Sequence, residues 1–426
     1  MRKLEEYGNL RVLSSEVFSV LQRWAVDEPL LPNLKTLQLW KIAEDFIPFV
    51  PLFLSPRTTT IVITIDTHDL PKAMVASMVA TFPRLCPTLQ NVDLRSLPRD
   101  PMITAAISEM LLASNRNTFR SFRVNSPLTE EAREAIFKLS DLRELSMVIE
   151  KDTPLPLVVL PNLTDLVIKY DYDHDWLQGF RRATLGKLAS ITFFAESESI
   201  GDFLKAFENV ALTTSTQTTL STFKFHASRL WSPNYHSLLP FTQLTTLIVS
   251  FPCDGGCSLR VDDETIMNLA RTMPKLAILQ LGSSPCHEIP IGVTIRGFMF
   301  LANHCPDLSE LCVHFKVASL SAPPAIARMP FGVDSTSARR DCALTELEVG
   351  AIQVLGESVW VVALTLVRIF PHLESIDCID ESWREVMSAI YLSRQIVDQL
   401  GKEHPSSKPR SDFNDTSPKA TLEGSS

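Results

Sequence analysis

The chain has 426 residues, 45% hydrophobic and 21% charged, a balance that supports a folded core and argues against a disordered chain. A formal net charge of -9 argues against generic nucleic-acid binding, and 8 cysteines are too few for a disulfide framework in so long a chain. The opening Met-Arg-Lys-Leu-Glu-Glu-Tyr-Gly has no signal-like apolar stretch and the longest apolar run, Val359 to Val367, is too short for a bilayer, so an intracellular protein, cytoplasmic or nuclear or both, with free thiols and no membrane or nucleic-acid partner is expected.

Along the chain one short phrase returns: apolar, two residues, apolar, one residue, apolar. A weak copy begins at Leu10 and Leu13. Leu34, Leu37 and Leu39 form a strong one, followed by Ile61, Ile63 and Ile65, then Leu89, Val92 and Leu94, then Phe119, Phe122 and Val124. Leu142, Leu145 and Met147 continue it, then Leu163, Leu166 and Ile168, then Leu188, Ile191 and Phe193, then Leu220, Phe223 and Phe225. The last copies are Leu244, Leu247 and Val249; Leu276, Leu279 and Leu281; Leu308, Leu311 and Val313; Leu344, Leu347 and Val349; and Leu373, Ile376 and Cys378. Roughly fourteen copies at a mean period of about 28 fall in the range of leucine-rich repeats.

Each phrase reads as a short strand whose alternate residues face opposite ways. Leu37 and Leu39 face a core, while Thr36, Gln38 and Trp40 face away. Helices cover the core: Ala73 to Phe82, Met102 to Ala113, Thr129 to Leu139, Thr265 to Met273, Thr294 to His304 and Ser358 to Phe370. Pro32, Pro87, Pro161, Pro274, Pro306 and Pro371 precede copies of the phrase, each expected to end an outer helix and set an extended entry to the strand. The expected fold is an α/β leucine-rich-repeat solenoid over 1–380, a horseshoe or arc with parallel inner strands and outer helices. Residues 381–400 read as an amphipathic capping helix with Trp383, Val386, Met387, Ile390, Tyr391, Ile396 and Val397 on its apolar side. Residues 401–426, rich in Ser, Pro and Lys, read as a disordered tail.

Few residues suggest chemistry. Asp171, Asp173 and Asp175 alternate as in a calcium loop, but Trp176 and Arg182 stand where the glycine and bidentate glutamate belong, so a solvated acidic loop is expected. Cys253, Cys257, Cys286 and His287 could offer zinc ligands, yet the adjacent second pair would strain a tetrahedron, and ordinary thiols around a glycine turn are expected instead. Cys86 and Cys305 read as small buried residues closing helices. No nucleophile elbow, phosphate loop or dinucleotide fingerprint occurs. No cofactor, no metal and no catalytic activity are expected.

The working surface is expected on the concave strand face, away from the helices. The partner-binding candidates there are Trp40, Arg95, Arg123, Lys169, Phe194, Lys224, His226, Glu310, Glu346, Glu348 and Asp377. Trp40 and Phe194 are candidate aromatic anchors. The first two-thirds of the face mixes signs, whereas the last third is acidic and suits a basic part of a protein partner.

Five stretches carry a family likeness: Leu31-Pro-Asn-Leu-Lys-Thr-Leu, Leu160-Pro-Asn-Leu-Thr-Asp-Leu, Met273-Pro-Lys-Leu-Ala-Ile-Leu, Cys305-Pro-Asp-Leu-Ser-Glu-Leu and Phe370-Pro-His-Leu-Glu-Ser-Ile. They resemble the leucine-rich-repeat region of fungal F-box proteins of the basidiomycete type, over about Leu10 to Asp380. That resemblance implies a substrate-binding half of a ubiquitin-ligase receptor. It departs from the pattern in two places. The usual Asn or Cys after the strand is absent, so no regular side-chain ladder is expected, and nothing before Leu31 matches the F-box itself. A ubiquitin-ligase adaptor is therefore an expected partner only if an F-box lies upstream. The alternative reading is a stand-alone interaction scaffold without a ubiquitin link.

Overall fold

Thirteen of the phrases become strands where the alternation predicts them, and the strands join into one parallel sheet of 14 in strict chain order. The computed structural model describes residues 3–7, 15–24, 29–65, 71–114, 118–150, 158–170, 185–195, 216–227, 235–250, 261–282, 292–315, 342–349, 359–377 and 381–403. The strands are β1 Lys3–Tyr7, β2 Thr36–Ile42, β3 Thr60–Ile65, β4 Asn91–Leu94, β5 Ser121–Val124, β6 Glu144–Ile149 and β7 Asp165–Tyr170. They continue as β8 Ser190–Ala195, β9 Thr222–Ala227, β10 Thr246–Ser250, β11 Ile278–Leu281, β12 Glu310–Val313, β13 Glu346–Val349 and β14 Ser375–Asp377. The register is even: Leu37 lies beside Ile61, Ile61 beside Val92, and Val92 beside Phe122. All four are at most 1% exposed. One strand of this length cannot bury an apolar side by itself, so each depends on its neighbours and on the helices behind. The chain is an open α/β leucine-rich-repeat solenoid.

The start differs from expectation. The first strand is Lys3–Tyr7, upstream of the expected Leu10, and residues 8–14 lie outside the described ones. The stretch Lys3-Leu4-Glu5-Glu6-Tyr7 carries a single aliphatic residue, so it has no phrase to recognise. It is held by pairing with β2, with Leu4 beside Leu37. Two further elements near this end were not predicted: helix α1, Ser15–Trp24, and a 3-10 helix, Glu44–Phe53. Pro48 and Pro51 inside the latter have no N–H for an α-helical ladder, which favours the tighter form. The two elements meet through Phe18, whose ring centroid lies 4.9 Å from that of Phe46 and 5.3 Å from that of Phe49.

A regular ladder does exist, but ahead of the strands and made by the backbone. In every interval from β2 to β14, two consecutive N–H groups donate to one carbonyl of the preceding repeat. Thr59 and Thr60 share the Lys35 oxygen; Thr245 and Thr246 share that of Ser221; Glu374 and Ser375 share that of Thr345. Where the first residue of the pair is Ser or Thr, its hydroxyl adds a third bond to the same oxygen, as at Thr59, Thr164, Ser221, Thr245, Ser309 and Thr345.

The prolines also act differently from expectation. Pro87, Pro274, Pro306 and Pro371 sit at the second place of a turn closed by the leucine N–H: Leu89 to Cys86, Leu276 to Met273, Leu308 to Cys305, and Leu373 to Phe370. Fixed φ suits that corner, so the proline builds a tight turn before the strand rather than an extended entry. The residue before it closes the helix, with the buried Cys86 and Cys305 in that place as expected. Burial pushes both thiols up to about 12.

The outer helices are α2 Lys72–Leu85, α3 Pro101–Ala113, α4 Glu130–Ile136, α5 Asp263–Thr272, α6 Ile295–His304 and α7 Val359–Ile369. Caps fix their starts: Asp100 accepts from the Met102 N–H, Thr129 from that of Ala132, and Asp262 from that of Thr265. α5 therefore begins at Asp263, ahead of the expected Thr265. Asp263 in turn accepts from the N–H and hydroxyl of Thr294, at 2.8 and 2.6 Å, tying α5 to the cap of α6. Helix α8, Ser382–Glu403, packs on α7 and buries Trp383, Val386, Ala389 and Ile390. Tyr391 and Ile396, expected on its apolar side, are 65% and 52% exposed, because the inward stripe runs through Ala389 and Ser393 instead. No helix among the described residues is long and apolar enough to cross a membrane.

Candidate functional site

The even register sets the outward residues in transverse rows. Thr36, Thr60, Asn91, Ser121, Glu144 and Asp165 begin the first row, which ends in Glu310, Glu346 and Ser375. The second includes Asp93, Arg123, Ser146, Val167, Thr192 and Lys224, and ends in Cys312, Glu348 and Asp377. The third includes Val148, Lys169, Phe194, His226 and Ser250. Most of these side chains are half-buried or exposed, whereas the alternate, inward ones are buried. This is the open face of the sheet. All of the sequence-derived candidates fall on it, Arg95 in the turn just after β4 and the others on strands.

The structure brings three of them together. Phe194 lies between the Lys169 ammonium, 5.5 Å from its ring centroid, and the His226 imidazole, stacked at 4.8 Å and 14°. His226 Nδ1 is 2.6 Å from the Ser250 hydroxyl, and Lys169 donates to Asn125 Oδ1 at 2.9 Å. One side-chain chain thus runs across the sheet from Asn125, just after β5, to Ser250 on β10. Both faces of the Phe194 ring are taken, so a partner can reach only its rim, and the 36% exposure is not that of a free anchor. Burial, and then the Lys224 charge, lowers the pKa of His226 below the ordinary imidazole value. Lys169 crosses β6 to reach Asn125, running over Val148, which is 1% exposed. Trp40 stands apart on β2 and is half-buried. It lies beside a bulge at Lys41, whose φ of 55° is left-handed and helps the strand shift register before Ile42.

Charge is distributed unevenly. Arg95 binds Asp93 in two-pronged fashion at 3.0 and 2.8 Å, and Arg123 pairs with Glu144 at 3.0 Å, Glu144 also accepting from the Ser121 hydroxyl. The cations of the early strands are therefore largely compensated. Glu310, Glu346, Glu348 and Asp377 form no ion pair among the described residues. They also face one another, Glu310 beside Glu346 and Glu348 beside Asp377. Like charges directly opposite in a sheet are destabilising. Cys312, beside Glu348, has its thiol pKa raised by burial and then by that carboxylate. Sequence reasoning did not find Cys312, Ser250 or the covered Val148. Their positions in the phrase signalled the face, but not what crosses it.

Among the described residues, no three His, Cys, Asp or Glu side chains converge as metal ligands. The Asp171 to Asp175 run and the Cys253, Cys257, Cys286 and His287 set lie outside the described residues, as do residues 404–426.

No protein-family model matches the chain, and no curated protein sequence does. Solved structures resemble it. A chain in the complex of Rad7 and Elc1 from yeast is similar over 65% of this chain and 77% of its own, at 13% identity and a TM-score of 0.37. An internalin from Listeria monocytogenes is similar over 88% and 92%, at 12% identity and a TM-score of 0.37.

Proposed function

We infer that this chain is a non-catalytic protein-recognition solenoid whose open face holds a partner, with the acidic end at β12 to β14 meeting a basic part of it. The observation that supports this most is the run of opposed carboxylates Glu310, Glu346, Glu348 and Asp377, which form no ion pair among the described residues and lie on the open face of the sheet. Such pairs cost stability in the free chain, and a basic partner relieves that cost. The preordered Lys169, Phe194 and His226 stack supplies a rigid neighbouring contact with little ordering left to lose. Trp40, Arg95, Arg123 and Lys224 complete the reading of the face as a binding wall. Helix α8 closes the solenoid end. The partner and compartment are intracellular in this reading.

The finer role rests on the family likeness. The partner would be a substrate that the solenoid presents to a ubiquitin ligase, with no chemistry of its own. Adaptor contact would come from an F-box encoded ahead of Met1; a stop codon close upstream would favour a stand-alone scaffold. The test of the face is Glu346→Lys with Glu348→Lys. The double variant should lose photo-cross-linking to its partner from Thr192 and Gln280, while a probe at Glu109 on α3 labels nothing specific in either protein. The same variant should gain a few tenths of a kcal/mol of stability from removing like-charge pairs. Unchanged cross-linking discards the acidic-end reading.

A further inference from the structure

Among the described residues the sheet ends at β14, and they leave the backbone of that edge uncommitted. Ser375 donates its N–H to the Thr345 carbonyl at 3.0 Å, and Ile376 lies beside Leu347 in register. In a parallel ladder the residue that bonds its inner neighbour does so through both its N–H and its C=O, and the next residue turns both groups the other way. Ile376 therefore points its N–H and C=O away from β13. Neither group has a hydrogen-bond partner among the described residues. The side chains at the edge are uncovered as well. Ser375 and Asp377 are exposed and Ile376 is half-buried, whereas its neighbour Leu347 is 1% exposed. Helix α8 closes the helix side of the core through Trp383, at 2% exposure, but leaves Ile376 part-open.

Charge selects the occupant. Asp377 lies on this strand and the exposed Glu374 just before it, with Glu346 and Glu348 on the next strand and Glu310 beyond. Two arginines of the carboxy-terminal helix are engaged elsewhere: Arg394 donates to the Pro371 oxygen and Arg384 pairs with Glu381. We propose that the β14 edge takes an extended basic segment of a partner protein as an added strand. Its alternate side chains fall on opposite faces. Those on the open face lie beside Ser375 and Asp377, and the long side chain of a lysine or arginine there meets Asp377 on the adjacent strand and extends over β14 toward Glu346 and Glu348, two strand spacings or about 9.6 Å away. Those on the other face lie beside Ile376 and are apolar. The segment thus alternates basic with aliphatic residues. A second copy offering its own β14 would set acid against acid, and a short charged edge guards against that pairing. The proposal goes beyond open-face recognition, because it rests on the edge backbone.

The test uses the full chain and the acetylated, amidated peptide Arg-Val-Lys-Ile-Arg-Val-Lys carrying a fluorophore. Binding is read by anisotropy, and exchange of the Ile376 amide by hydrogen exchange. Two controls are the same peptide N-methylated at alternate amides and a version with Glu for every basic residue. Ile376→Pro removes the outward N–H and trims the side chain but leaves the β13 ladder in place, and proline is tolerated at an edge whose preceding residue is extended. Ile376→Val reports on the lost side chain. The peptide should bind, protect the Ile376 amide, and lose affinity roughly tenfold or more on N-methylation or in Ile376→Pro, but not in Ile376→Val. The glutamate version should not bind. Equal binding of the N-methylated peptide overturns the proposal, as does absence of binding. Protection of the Ile376 amide in the free monomer would show that the chain covers its own edge, and dimerisation abolished by Ile376→Pro would make the occupant a second copy; either overturns it. If Glu346→Lys with Glu348→Lys weakens the peptide while Ile376→Pro does not, the open-face reading survives and the edge does not.

Discussion

His314 is 5% exposed, and burial pushes its imidazole down to about 4 from 6.5. The unfolded chain therefore takes up the proton more readily, so stability is full above pH 6.5 and is lost as pH falls toward 4. At pH 5 the loss from this one group is about 2 kcal/mol. His226 shifts in the same direction, through burial and then Lys224, and adds to the trend. Urea unfolding of wild type and His314→Gln at pH 7 and pH 5 checks the sign, since the variant's acid loss should be smaller by about that amount. Equal losses would place the acid sensitivity elsewhere. At this scale the sequence was partly readable. Position in the phrase located Lys169, Phe194 and His226 on the open face, because alternation is a backbone property. That Phe194 is sandwiched, and that Arg95 and Arg123 are neutralised, depends on side-chain reach between strands far apart in the chain, which no local pattern encodes.

Elements follow the same division. Strands β2 to β14 and the capped helices were legible because burial imposes a period on them. The first strand was not, since Lys3–Tyr7 owes its place to pairing with β2. Nor was the 3-10 helix, where two prolines within an apolar run obscure the period. Leu31-Pro-Asn-Leu and its relatives signalled the repeat, while the turn they form emerges only once the leucine N–H is seen to close it. The amino-terminal elements depend on Phe18, which is 3% exposed among Phe46, Phe49 and Phe53. Phe18→Ala should destabilise the packing of α1 by about 3 kcal/mol. Native-state hydrogen exchange should show faster opening of α1 and the 3-10 helix with β9 to β12 unchanged. A uniform change over all strands would mean that the solenoid opens as one unit.

For the whole molecule, stability is a sum over neighbours, and its ends matter most. At the carboxy end Trp383 is 2% exposed, with its ring 6.3 Å from that of Phe315. Trp383→Ala should cost about 3–5 kcal/mol and start unfolding from β12 to β14, which end-specific exchange would reveal. Unfolding that begins in the middle strands would contradict this. The backbone ladder has a different bearing. Successive rungs stand 24 residues apart at Lys35 and Thr59 but 36 apart at Ser309 and Thr345. What is held constant is a shared carbonyl, and every amino acid brings one. The stretches between rungs can therefore lengthen, shorten or change composition while the spine stays in step, so new surface can be added to this protein without disturbing the sheet that displays it.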